Sequence, residues 1–186
     1  MFAKKSLILI FAALGIGACS SKDKISKSDT GSSMEAKQVA IEEEAAHVVE
    51  FDFKKGSSHL TPAAKSDIKK LISNARSQGA IKEIKVITWG DSEYPSVHTR
   101  KLASGDVKLV QERNKSIQKY INTQDKKYDV ELYSMAERPG LIQEMLNTSD
   151  ARIKKSLETA GVPTTDTAVK TPSKASKSIV MVIPEK

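Results

Sequence analysis

Four short stretches of the chain alternate apolar and polar residues with the period of two that a half-buried strand requires. Val49, Phe51 and Phe53 alternate with Glu50 and Asp52 in 48–53. Ile84, Val86 and Thr88 alternate with Lys85 and Ile87 in 84–88. Tyr128, Val130, Leu132 and Ser134 alternate with Asp129, Glu131 and Tyr133, and 179–183 forms a fourth run. Between these stretches the apolar period lengthens to that of a helix. Ala64, Ile68, Leu71, Ile72 and Ala75 make one stripe, with Thr61 placed to cap it, Pro62 at its first turn and Gly79 at its end. Leu109, Val110, Arg113, Ile117, Tyr120 and Ile121 make a second. Leu141, Ile142, Met145 and Leu146 predict a short helix. Asp150 could cap another, with Ile153, Leu157 and Ala160 at helical spacing and Gly161 as its stop. The resulting order is β-α-β-α-β-α-β. It predicts one four-stranded sheet packed on one face by helices, with Phe51, Phe53, Ile68, Leu71, Val86, Ile117, Ile121, Leu132 and Val180 in a shared core.

The chain upstream of 48 reads differently. Lys4 and Lys5 precede an apolar run, Leu7 to Leu14, which is too short to span a membrane comfortably and fits a secretory signal. Residues 20–33 are rich in Ser, Lys and Asp with no apolar period, so 19–47 is expected to be mostly a flexible tether, although Met34–Ala46 has good helix formers. The run Glu42, Glu43, Glu44 reads as a solvated face. Residues 161–177 carry hardly any apolar side chains and predict a mobile loop.

Composition narrows the function classes. The net charge of +7 becomes +5 if Lys4 and Lys5 leave with a signal, a mild excess usable on an anionic surface. Aromatic residues are 5% of the chain and no basic run is interleaved with them, which argues against nucleic acid. The single cysteine excludes an internal disulfide framework. His47, His59 and His98 lie in separate segments, and no zinc-protease spacing, nucleophile elbow or phosphate-cradling loop occurs. The chain is therefore not expected to be an enzyme or to carry a metal or cofactor.

The central stretch carries a resemblance. LVQERNKSIQKYI, residues 109–121, is similar to the helix of the outer-membrane protein A C-terminal-like (OmpA-like) domain, with Leu109, Arg113, Ile117, Tyr120 and Ile121 in register. IKVITWGD, ending on Asp91, resembles the strand before it, and FDFKKGSSHLTPAAKSDIKKL resembles the opening of that domain. The sequence departs from the family pattern at Thr88, Trp89 and Gly90, at Tyr94, at Asp106, and at Lys177 and Ser178, which replace two arginines. The resemblance implies an α+β fold with a mixed four-stranded sheet over 48–186. It implies that Asp91 and Arg113 grip the diaminopimelate of peptidoglycan. That chemistry is sound: the ligand offers a carboxylate and an ammonium on one carbon, so a forked cation and an anion at fixed separation would hold it. Neither residue is assigned to the core, so replacing either is expected to spare the fold.

Ile16-Gly17-Ala18-Cys19 resembles the lipobox at which lipoprotein signal peptidase cuts before a lipidated cysteine. This implies a signal over 1–18, lipidation of Cys19, and, with Ser20 next, sorting to the periplasmic face of the outer membrane. Several acyl chains on one cysteine give stable anchoring. Two functions follow. One is an outer-membrane lipoprotein, similar to the peptidoglycan-associated lipoproteins, that ties the envelope to the wall. The other is an OmpA-like lipoprotein subunit of a secretion, conjugation or motility apparatus, binding envelope-complex proteins and little or no peptidoglycan.

Overall fold

The computed structural model describes residues 32–95, 98–140, 148–159 and 173–185. The signal expected over 1–18 and Cys19, the helix expected over 141–146 and most of the loop expected over 161–177 lie outside the described residues. The elements are α1 (Met34–Glu42), β1 (His47–Asp52), α2 (Pro62–Gln78), β2 (Ile81–Thr88), α3 (Ser104–Gln124), β3 (Asp129–Ser134), α4 (Ser149–Thr159) and β4 (Lys177–Pro184). The fold is α+β, and the four strands form one mixed sheet in the order β1-β4-β2-β3. β4 runs antiparallel to both β1 and β2, while β2 and β3 are parallel. The parallel pair needs a long crossover, and α3 supplies it.

The local signals act as expected. The Thr61 hydroxyl accepts the Ala64 N–H at 3.1 Å, Pro62 opens α2, and Gly79 caps its end. Against α2 and α3 one sheet face buries Phe51, Phe53, Ile84, Val86, Val180 and Val182 together with Ile68, Leu71, Ile117 and Ile121.

The opposite face is covered as well, which corrects the expectation of helices on one face only. β4 places Ile179, Met181 and Ile183 there, beside Val48, Ile87 and Tyr133, under Ala36, Val39 and Ala40 of α1 and Ile153 and Leu157 of α4. Six consecutive residues of β4 are buried, the pattern of a central strand with no solvent side. The folded unit therefore begins upstream of Val48. Ser33 caps α1, its hydroxyl accepting the Ala36 N–H at 3.2 Å, and the stripe Ala36, Val39, Ala40 docks α1 on the sheet. The three glutamates are not one solvated face: Glu42 and Glu44 are exposed, but Glu43 is buried. Leu132 is a second correction, being 37% exposed, whereas its neighbour Tyr133 is buried. β3 is an edge strand, and its better-covered face is the one toward α1 and α4.

Candidate functional site

β2 ends where Trp89 N–H donates to the Lys177 carbonyl at 3.0 Å, and the chain then turns through Gly90 to Asp91. Gly90 is required by close approach: a Cβ there would lie 2.7 Å from Asp106 Oδ1. Asp106, in the first turn of α3, uses that same oxygen to accept the Asp91 N–H at 2.9 Å. A carboxylate in the first turn is favoured by the helix dipole. Two turns further along α3, Arg113 comes to the same end of the sheet.

The two residues singled out from sequence do meet. Arg113 Nη2 lies 2.5 Å from Asp91 Oδ1. The guanidinium is spent on other acceptors too: Nε donates to the Ser57 carbonyl at 2.9 Å, Nη1 to the Trp89 carbonyl at 2.9 Å, and Nη2 to the Lys54 carbonyl at 3.3 Å. Its underside stacks on Phe53, with 4.9 Å from Cζ to the ring centre. Arg113 is 0% exposed. This overturns the expectation that it lies outside the core, for sequence spacing alone cannot say that three backbone carbonyls await a helix residue.

Asp91 is engaged as fully. Oδ1 also accepts the Ser176 hydroxyl at 2.6 Å, and Oδ2 accepts the Gly56 N–H. Burial works to raise the Asp91 carboxyl, but the bonds from Ser176, Gly56 and Arg113 outweigh it and hold the group below its ordinary range. Ser176 has a left-handed backbone, φ 65°, unusual for a residue with a side chain. Its N–H donates to the Gly90 carbonyl at 2.6 Å, and its carbonyl accepts the Phe53 N–H at 2.7 Å. The pair thus ties three loops together: 54–57 after β1, 89–91 after β2, and 174–176 before β4.

Lys177 and Ser178, which stand in place of two arginines, are taken up by cross-strand pairs. Lys177 Nζ lies 2.8 Å from Glu50 and 3.4 Å from Asp52, and the Ser178 hydroxyl is 2.8 Å from that of Thr88. Trp89 packs partly buried against the core, with Lys174 Nζ 5.9 Å from its ring centre. His59 and His98 are exposed and His47 is buried. Among the described residues no group of three or more His, Cys, Asp or Glu could hold a metal ion, and no helix is long and apolar enough to cross a membrane.

A second cluster of charge lies under α1 and α4. Lys85 Nζ is 2.7 Å from Glu43, 3.2 Å from Glu83 and 4.0 Å from Glu131, and Arg152 Nε is 2.8 Å from Glu43. Burial opposes the charge on Glu43, but Arg152 and Lys85 prevail and lower its carboxyl; for Lys85 burial is likewise outweighed, first by Glu43, and the ammonium is raised. This cluster seats α1 on the sheet.

No protein-family model and no curated protein matches the chain. Among solved structures it is similar to the OmpA-like domain of FopA1 from Francisella tularensis subsp. tularensis SCHU S4. The two share 11% identity at a TM-score of 0.40, over 75% of this chain and 73% of that one. A likeness this distant assigns no ligand.

Sequence reasoning found Asp91 and Arg113 but not the groups that close on them. Gly56 acts through its backbone N–H, Ser176 and Asp106 act through side chains that only the fold brings alongside, and the carbonyls of Lys54, Ser57 and Trp89 leave no trace in residue type.

Proposed function

We propose that this chain is a lipid-anchored protein of the bacterial envelope whose OmpA-like domain is a scaffold within an envelope apparatus of the secretion, conjugation or motility kind, with weak or no peptidoglycan binding. The observation that carries this reading is the state of Arg113. Its guanidinium is fully buried, and its donors are already taken by the chain itself: Nη2 by an oxygen of Asp91, and Nε, Nη1 and Nη2 by three backbone carbonyls. A diaminopimelate carboxylate would have to displace Asp91, and its ammonium would have to draw Asp91 away from Ser176 and Gly56. The envelope location rests on the charged start, the apolar run and the sequence around Cys19.

The second reading, an outer-membrane lipoprotein that ties the envelope to peptidoglycan, is favoured by one fact. Asp91 and Arg113 stand at the strand end and on the helix that the resemblance implies, and they do converge. Sedimentation with purified sacculi separates the two, at low and physiological salt, since a basic chain sticks to an anionic wall nonspecifically when salt is low. The scaffold reading expects no salt-resistant binding. Salt-resistant binding that free diaminopimelate competes away and Asp91→Ala abolishes would overturn it in favour of the second. Cys19→Ala should abolish lipid labelling and release the chain from membranes. Retained labelling would end the lipoprotein reading.

A further inference from the structure

β3 is an edge strand whose outer side no described strand pairs. Met135 N–H donates to the Thr88 carbonyl, so the odd-numbered backbone groups of β3 turn toward β2. Those of Val130 and Leu132 turn outward, since successive residues of a strand point their hydrogen-bonding groups to opposite sides. The side chains sort by face as well. Asp129, Glu131 and Tyr133 share the α1–α4 face, and Val130 and Leu132 the other. Leu132 is the exposed apolar residue there, at 37%, with Val130 half-buried beside it against the α2–α3 core.

The charge on the first face is unbalanced toward the edge. Asp129 lies directly opposite Glu83, and Glu131 opposite Lys85. Lys85 is already shared among Glu43, Glu83 and Glu131. Like charges directly opposite in a sheet are destabilising. A cation laid against Asp129 and Glu131 from outside would relieve them. Although the whole chain carries +7 and Lys126 and Lys127 precede the strand, β3 itself, Asp129–Ser134, carries two carboxylates and no cation.

We propose that β3 is a docking edge for an extended basic segment of a partner protein, added as a fifth strand, with Lys or Arg alternating with aliphatic residues. Its cations would lie beside Asp129 and Glu131, its aliphatic side chains beside Val130 and Leu132, and its backbone would bond the outward groups of those two residues. A second copy of this chain is disfavoured, because β3 against β3 sets acid against acid. The inference deepens the scaffold reading by naming a surface and a partner chemistry, and it can fail while the sacculus result stands.

The test uses the full chain in detergent and a fluorescent peptide of alternating lysine and valine. A same-composition block peptide and an alternating glutamate–valine peptide serve as comparators. Fluorescence anisotropy reads affinity, and amide hydrogen exchange reads position. The alternating basic peptide should bind and protect the Val130 and Leu132 amides, and the other two should not. Asp129→Lys should weaken binding by about fivefold to tenfold, the effect of turning a cross-strand attraction into a repulsion. Leu132→Lys, at an exposed position, should weaken it with the fold intact by circular dichroism. The proposal is overturned if the alternating peptide fails to bind, if the block peptide binds equally, if Val130 and Leu132 gain no protection, or if Asp129→Lys binds as tightly. Self-association abolished by Leu132→Lys would give the edge to a second copy and overturn it too.

Discussion

Asp91→Asn separates a clamp from an open ligand site. The substitution keeps the shape of the side chain and removes its charge. Arg113 is 0% exposed, so its cation cannot turn to water for compensation. Its three backbone carbonyls remain, at 2.9, 2.9 and 3.3 Å, but the one anion in contact with it among the described residues is gone. The new amide also donates where Asp91 only accepts. With either orientation one of its neighbours, Gly56 N–H or the Ser176 and Arg113 donors, faces an NH2 group. Removing one partner of a buried pair costs roughly 3–5 kcal/mol, because the other is left buried and uncompensated. For a chain of this size that is a fall in melting temperature of roughly 6–20 °C. Urea unfolding is the assay: the midpoint should drop while the slope holds, since the surface exposed on unfolding is unchanged. Arg113→Met alone should also destabilise, by stranding the three carbonyls. The double variant should cost less than the sum, because the pair shares one interaction. A loss below about 0.5 kcal/mol for Asp91→Asn, the size usual at surface sites, would refute the reasoning. The pair would then be a solvent-facing site free to open.

Three further outcomes are expected. Gly90→Ala pushes a methyl to 2.7 Å from Asp106 Oδ1 and should cost about 1–3 kcal/mol in urea unfolding, the range for forced overpacking; an unchanged midpoint would show that Asp106 moves aside freely. Leu71→Ala should cost roughly 2–5 kcal/mol as a buried site, while Leu132→Ala should cost about 0.5 kcal/mol or less as an exposed one; the reverse ranking would put β3 in the wrong place. Asp91, Glu43 and Glu50 are all held below their ordinary values of 3.8, 4.5 and 4.5, so their contribution is full above those values and is lost as pH falls through the lower folded ones. The urea midpoint should hold from neutral pH down to near 4.5 and fall below it, less steeply in Asp91→Asn, and a fall beginning near pH 6 would assign the acid response to other groups.

The strands and the two long helices were legible because their apolar residues recur at period two or 3.6, and because Thr61, Pro62 and Gly79 mark their ends. The second helical layer was not. α1 buries mainly small residues, Ala36, Val39 and Ala40, and its acidic tail reads as solvent-facing until Lys85 and Arg152 are placed across from Glu43. The continuous apolar run of β4 held the missing hint, for a strand buried on both faces needs a layer on each. Leu132 shows the limit of alternation: it assigns two faces to a strand but does not say which is covered. Asp91 and Arg113 were legible as a pair, while their burial was not, since burial comes from loops that contribute mostly backbone groups, the Ser176 hydroxyl apart.

The same two side chains that would suit a zwitterionic ligand suit each other for the same reason, a guanidinium meeting a carboxylate. What decides between the uses is competition. An acceptor tethered by the fold acts at an effective concentration that a free ligand must exceed, on the order of millimolar even for a flexible link. Here the link is short and stiff: Gly90 cannot take a side chain without moving Asp106, and Asp106 holds the Asp91 N–H. Ser176, strained at φ 65° and bonded to both Gly90 and Phe53, adds a third point of attachment. A wall ligand would have to release Asp91 from Ser176 and Gly56 and replace it at Nη2 of a guanidinium that water does not reach. The loops would open in the process, and with them the closure of this end of the sheet. Tight binding and a stable closed domain therefore draw on the same contacts, which is why the stability of Asp91→Asn and the sedimentation of the wild-type chain report on one question from opposite sides.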